Sequence, residues 1–166
     1  MTERKTEALA AELIEALRAR GLHLSLAESC TGGMIAAAVT DIAGASDVFS
    51  GSAVTYENAA KENILGVSHK TLAEHGAVSE ECAREMAEGS KRIFSSDIAL
   101  AVTGIAGPGG AVPGKPTGTV WFGCASCKGT EAFKCFFKGG REEVRAATVE
   151  RALLHLLSLF GRDGGR

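Results

Sequence analysis

The sequence predicts an α/β fold, a three-layer α/β/α sandwich around a mixed, mostly parallel sheet of about five strands. Two observations lead there. Segments with helical and strand periodicity alternate in the order helix, strand, helix, strand, helix, helix, strand, long loop, strand, strand, helix, which suits helices on both faces of one sheet. The last two strands are joined by a short turn, which makes an antiparallel member near the end of that sheet.

Residues 2–20 place Leu9, Leu13, Ile14 and Leu17 on one face with charges opposite, and Gly21 stands where a left-handed residue ends a helix. Leu22 to Leu26 is a short apolar run, AESCTGG a tight loop, and Met34 to Ile42 a helix of small residues. GSAVTY (51–56) reads as a second strand and 58–65 as a short helix. Ser79 opens another helix, with Glu81 and Glu85 early in it, that ends near Phe94. Ser95, Ser96 and Asp97 turn the chain into the apolar run Ile98 to Val102, which stops at Thr103. The Gly/Pro-rich segment 103–118 is a long loop, of a length usually functional or mobile. Thr119 to Ala125 and Glu131 to Phe137 form a hairpin through Lys128-Gly129. A helix from about Arg141 to Phe160 buries Val149, Ala152, Leu153, Leu156 and Phe160, and the polar tail 160–166 is expected to fray.

A length of 166 residues without internal repeats fits a single domain spanning 1–166. With 45% apolar and 23% charged residues the chain has the composition of a globular protein with a substantial core. A net charge of −2 gives no field to hold nucleic acid or an acidic membrane, so neither is an expected partner. The first twenty residues carry charges every few positions, and no apolar run is long enough to span a bilayer, so a cytoplasmic location is expected. Five irregularly spaced cysteines suit reduced thiols better than a disulfide framework.

Several segments have the residue types for chemistry. In Glu28-Ser29-Cys30-Thr31-Gly32-Gly33 a strand feeds a helix through hydroxyl residues and paired glycines, which presents backbone N–H groups to a phosphate or an oxyanion. The plainer alternative is that Ser29 or Thr31 caps the helix and the glycines only make the turn. Cys30 beside a helix start has the setting of an activated thiol, but no histidine is near in sequence, which favours a small buried residue. Downstream, Tyr56 precedes Lys61 by five residues, with Ser46, Ser50 and Ser52 before it. A desolvated lysine can act as general base for a serine hydroxyl, whereas most lysines are solvated surface residues. The spacing of five, and the lack of a GxGxxG on the first strand, argue against hydride transfer to a nicotinamide cofactor.

GGAVPGK (109–115) resembles a phosphate loop, but Pro116 occupies the position of the magnesium-binding hydroxyl and a strand follows. What remains is Thr103, Gly104 and Gly107 at the end of an apolar strand, where α/β sheets commonly bind ligands and where a purely structural turn is equally compatible. Cys124 and Cys127 form a lone C-x-x-C at a strand end, and the histidines follow no metal-binding pattern, so no metal is expected. Arg141 and Arg145 share one face at the start of the last helix, a pair suited to phosphate oxygens or to ion pairs with Glu142 and Glu143.

Taken together, AESCTGG, GSAVTYENAAKENILGV, HGAVS, VTGIAGPGG, KPTGTVWFG and GGREEVRAATVERAL follow the order and spacing of the CinA C-terminal domain family, which the chain resembles from about residue 7 to 160. The resemblance implies hydrolysis of the carboxamide of nicotinamide mononucleotide to nicotinic acid mononucleotide and ammonia, in recycling of pyridine nucleotides, with no metal or organic cofactor. It implies the stand-alone form, without the molybdopterin-binding-like domain of longer relatives, and a homo-oligomer. Carried over by position, Ser29 is the nucleophile with Ser46 as rival, Lys61 the base, and Tyr56 a proton relay or orienting group. Glu28, Thr31, Gly32, Gly33, Thr103, Gly104 and Gly107 would surround the carboxamide or phosphate, with Arg141 and Arg145 on the 5′-phosphate. Two other functions remain open: a nucleotide-sensing or partner-binding module without turnover, tied to competence or DNA damage, and a Ser–Lys hydrolase of another small amide.

Overall fold

The computed structural model describes residues 3–161. Its five strands are β1 (Leu24–Glu28), β2 (Phe49–Val54), β3 (Ile98–Gly104), β4 (Thr119–Ser126) and β5 (Gly129–Phe136), in the spatial order β2-β1-β3-β4-β5. β1 runs parallel to β2 and β3, while β4 is antiparallel to β3 and β5. Four strands therefore point one way and only β4 opposes them, as expected for a mixed sheet ending in a hairpin.

Helices α1 (Glu3–Arg20), α2 (Met34–Thr40) and α6 (Arg141–Ser158) cover one face. On the other lie α3 (Asn58–Ala60), continued by a π-turn over Lys61–Leu65, then α4 (His69–His75) and α5 (Glu80–Phe94). Strand alternation divides the core between these layers. Leu24, Leu26, Ile98, Leu100, Val102 and Phe122 pack toward α1 and α6, whereas Ala27, Ala101 and Ala125 pack toward α5. The small residues on the second face let α5 sit close. A Cβ at Gly123 would stand 2.1 Å from the Ala83 carbonyl oxygen, and one at Gly89 2.1 Å from that of Leu65, so α5 is wedged between sheet and π-turn at two glycines.

Boundaries differ from the sequence expectation where polar residues are buried. β1 begins and ends two residues late because the run continues through Glu28, which is charged in type yet fully buried. β2 lies two residues early, at Phe49–Val54. Helix α4 was not expected; its start is marked by Ser68, whose hydroxyl accepts from the Thr71 N–H at 3.0 Å. Helix α6 stops at Ser158, so Phe160 lies in the following turn. Of the expected tail, residues 162–166 lie outside the described residues, as does Thr2, the first residue of the helix expected over 2–20.

The parallel register brings three strand ends together. Glu28 of β1 pairs with Val54 of β2 and with Val102 of β3, so Ser29, Thr55 and Thr103 emerge along one edge of the sheet.

Candidate active site

Lys61 is the largest side chain buried to that degree, at 1% exposure. Its Nζ lies 3.1 Å from Ser29 Oγ, 2.8 Å from the Thr55 carbonyl oxygen and 3.3 Å from that of Tyr56. The first residue of the π-turn is Lys61 itself, and Gly66, at φ +73°, closes it with a left-handed residue. Arg92 donates to the Leu65 carbonyl at 2.7 Å and ties this turn to α5. No carboxylate forms an ion pair with Lys61 among the described residues. Glu28, the adjacent acid, points to the opposite face of the sheet by strand alternation. Burial therefore holds the Lys61 amine below its ordinary range. The Cys30 and Cys82 thiols are themselves pushed by burial up to about 11, so they stand neutral beside it. This removes Cys30 as an activated nucleophile and leaves Ser29, 8% exposed, as the hydroxyl beside the amine.

The Glu28 carboxylate organises the loop beside Ser29. Its Oε2 accepts from Thr31 Oγ1 at 2.7 Å, Gly33 N at 3.0 Å and Ile35 N at 3.1 Å, while Oε1 accepts from Ala36 N at 2.8 Å and Ser52 Oγ at 3.3 Å. The carboxylate thus takes up the orphan N–H groups at the start of α2 that the sequence offered to a ligand. The Glu28 carboxylate, the Thr31 hydroxyl and the Gly33 amide are thus engaged with one another inside the loop. The Gly32 amide donates to the Ser29 carbonyl at 3.1 Å. Among the described residues this leaves the Cys30 and Thr31 amides without an oxygen acceptor, directly after the Ser29 side chain in sequence.

The two arginines separate. Arg145, half-buried, donates from Nε to the Cys30 carbonyl at 3.2 Å and from a terminal nitrogen to the Thr31 carbonyl at 2.9 Å, which clamps the serine loop onto α6. Arg141 is exposed and joins three segments, donating to the Tyr56 hydroxyl at 2.7 Å and the Gly107 carbonyl at 2.9 Å.

The CinA C-terminal domain model matches residues 6–160. The chain belongs to the CinA C-terminal domain family. The nicotinamide-nucleotide amidohydrolase PncC of Enterobacter agglomerans is 50% identical over 161 residues, covering 96% of this chain and 98% of that one. A putative competence-damage inducible protein of Caldanaerobacter subterraneus is 46% identical over 150 residues; the match covers 90% of this chain and 35% of that longer relative. The crystal structure of the competence damage-inducible protein A of Klebsiella pneumoniae has a TM-score of 0.92 at 43% identity, covering 95% of this chain and 98% of that one.

Measured against the family resemblance, the fold brings Ser29 and Lys61 together and keeps Ser46 apart from them. Ser46 is exposed in the 3-10 turn Ala45–Asp47, ahead of β2 and so at the opposite end of the parallel strands from Lys61. Tyr56 meets Lys61 through its main-chain carbonyl, while its phenol, 58% exposed, is engaged with Arg141. A direct proton relay through that hydroxyl is not what the geometry presents. Thr103 is buried and donates to the Ala77 carbonyl at 2.8 Å, and a Cβ at Gly104 would stand 2.8 Å from the Thr119 carbonyl oxygen, so both serve packing at the strand end. The Thr55 carbonyl and the carbonyls held by Arg145 went unnoticed in the sequence, since a main-chain atom leaves no residue-type signature.

Proposed function

We propose that this chain hydrolyses the carboxamide of nicotinamide mononucleotide through a serine nucleophile activated by a neutral lysine. The observation carrying the proposal is the hydrogen-bond set of Lys61. Carbonyl oxygens only accept, so a neutral amine would direct its two N–H bonds to Thr55 and Tyr56 and leave its lone pair for the Ser29 hydroxyl. The similarity to PncC proteins over nearly the whole chain supports the substrate.

In the proposed reaction Ser29 Oγ attacks the carboxamide carbon while Lys61 Nζ takes its proton. The oxyanion that forms accepts hydrogen bonds from the Cys30 and Thr31 amides, held in place by Arg145 on one side and the Glu28 brace on the other. Collapse of the tetrahedral intermediate breaks the C–N bond, and the Lys61 proton leaves with ammonia. Water then attacks the Ser29 ester with Lys61 again as base, releasing the acid and restoring the serine. Arg141 exchanges Tyr56 and Gly107 for the 5′-phosphate, its guanidinium being the exposed member of the pair.

Ammonia release from nicotinamide mononucleotide, followed for the native chain and for Ser29→Ala and Lys61→Ala, tests this. Loss of turnover by about three orders of magnitude or more in both variants, each folded by circular dichroism, is expected. A folded Ser29→Ala variant with native turnover would overturn the mechanism. A native chain that binds the mononucleotide and releases no ammonia would instead favour a sensing module.

A further inference from the structure

Cys124 and Glu131 occupy directly opposed positions on β4 and β5, so their side chains leave the same face of the hairpin. Helix α6 packs on that face and brings in His155, 9% exposed, whose ring stands 4.5 Å from that of Phe133. The Cys124 Sγ, a His155 ring nitrogen and a Glu131 carboxylate oxygen all lie within 4.8 Å of one another. His155 Nε2 is 3.2 Å from Glu131 Oε1, but the alignment is not that of a hydrogen bond, and this buried nitrogen has no hydrogen-bond partner among the described residues. A buried polar atom without a partner calls for one. Glu131 and His155 also line a cavity of about 720 Å³ between the end of α1, the end of α6 and the hairpin, which gives a route from solvent.

We propose that Cys124, Glu131 and His155 form a site for one zinc ion, which fastens the β4–β5 hairpin to α6. One sulfur, one nitrogen and one oxygen are the donor types that zinc accepts together, whereas calcium and magnesium require mainly oxygen. In a tetrahedral zinc site the donors stand roughly 3.3–3.8 Å apart, as follows from bonds of about 2.0–2.3 Å. The three donors lie within 4.8 Å of one another, and Glu131, whose side chain is 61% exposed, has room to turn its carboxylate toward the other two. Solvent in the cavity supplies the fourth ligand. The thiol proton of Cys124 leaves to solvent as the sulfur–zinc bond forms, and His155 binds as the neutral imidazole. Cys124 neighbours Leu100 in the sheet, toward the start of β3, so the site lies away from the Ser29–Lys61 edge and does not depend on the amidase proposal.

The test uses the full chain stripped with a chelator, then titrated with zinc chloride against a chromogenic chelator, and with cobalt(II) for its thiolate charge-transfer band. The expected result is one zinc per chain and a cobalt–thiolate band that survives Cys127→Ser and disappears in Cys124→Ser. Affinity should fall about tenfold or more in His155→Gln and in Glu131→Gln. Glu131→Gln changes an exposed group and keeps the test decisive where a buried variant fails to fold. Uptake no greater than that of the Cys124→Ser variant would overturn the proposal, as would a band that follows Cys127 or native affinity in Glu131→Gln. Ammonia release by the stripped enzyme is read separately and should be unchanged, so failure of either proposal leaves the other standing.

Discussion

Replacing Glu28 with Gln separates a brace from a substrate contact. The carboxylate accepts five hydrogen bonds, three on Oε2 and two on Oε1. An amide keeps the shape, but its NH2 group faces donors wherever it is placed. Set at the Oε1 position, it meets the Ser52 hydroxyl, which turns to accept, and the Ala36 N–H, which is left unpaired at about 1–3 kcal/mol. The three bonds to the remaining oxygen lose charge assistance, roughly 1 kcal/mol each. The total is about 4–6 kcal/mol, a large part of the ~5–15 kcal/mol that holds a domain folded. For a chain of this size that lowers Tm by roughly 8–24 °C, at about 2–4 °C per kcal/mol. Thermal unfolding by circular dichroism, with Michaelis kinetics on the mononucleotide below the transition, is the assay. A Tm within 2 °C of native, together with a raised KM, would refute the argument and return Glu28 to the substrate.

Arg141→Ala should raise KM for the mononucleotide about tenfold or more with little change in Tm, whereas Arg145→Ala should lower kcat because the Cys30–Thr31 loop loses its clamp; equal effects on KM would show that both meet the phosphate. Gly89→Ala should lower stability by about 1–3 kcal/mol or more and reduce kcat, since its Cβ would collide with the Leu65 carbonyl of the turn that carries Lys61; a native chevron and native turnover would refute that packing. Unfolding free energy should rise with pH between the lowered pKa of Lys61 and ~10.4, because the unfolded chain binds the extra proton over that window, and Lys61→Met should lose this slope in denaturant titrations; an unchanged slope would refute it.

The layering was legible because apolar runs such as Ile98–Val102 and the stripe through Leu13, Ile14 and Leu17 report burial directly. Helix α4 was not, since seven residues with only Thr71 and Leu72 buried carry too short a pattern. At the site, Ser29 and Lys61 could be named from residue type and family spacing. The inward turn of Glu28 could not, because a carboxylate next to glycines looks the same in sequence whether it faces a ligand or a helix end. Ser46 shows the converse limit: nearness to Lys61 in sequence says nothing about the end of a parallel strand to which a residue falls. Cys124, Glu131 and His155 come from β4, β5 and α6, so no local spacing joins them.

The central claim is that Lys61 gives up its proton at a pH where surface lysines keep theirs. Carbon-13 labelling of lysine and nuclear magnetic resonance titration of the ε-methylene signals measure this directly, with Lys61→Met to assign the resonance. The account predicts one signal that titrates well below the others and coincides with the rise of kcat/KM. A Lys61 signal that moves together with the solvated lysines near ~10.4 would contradict it.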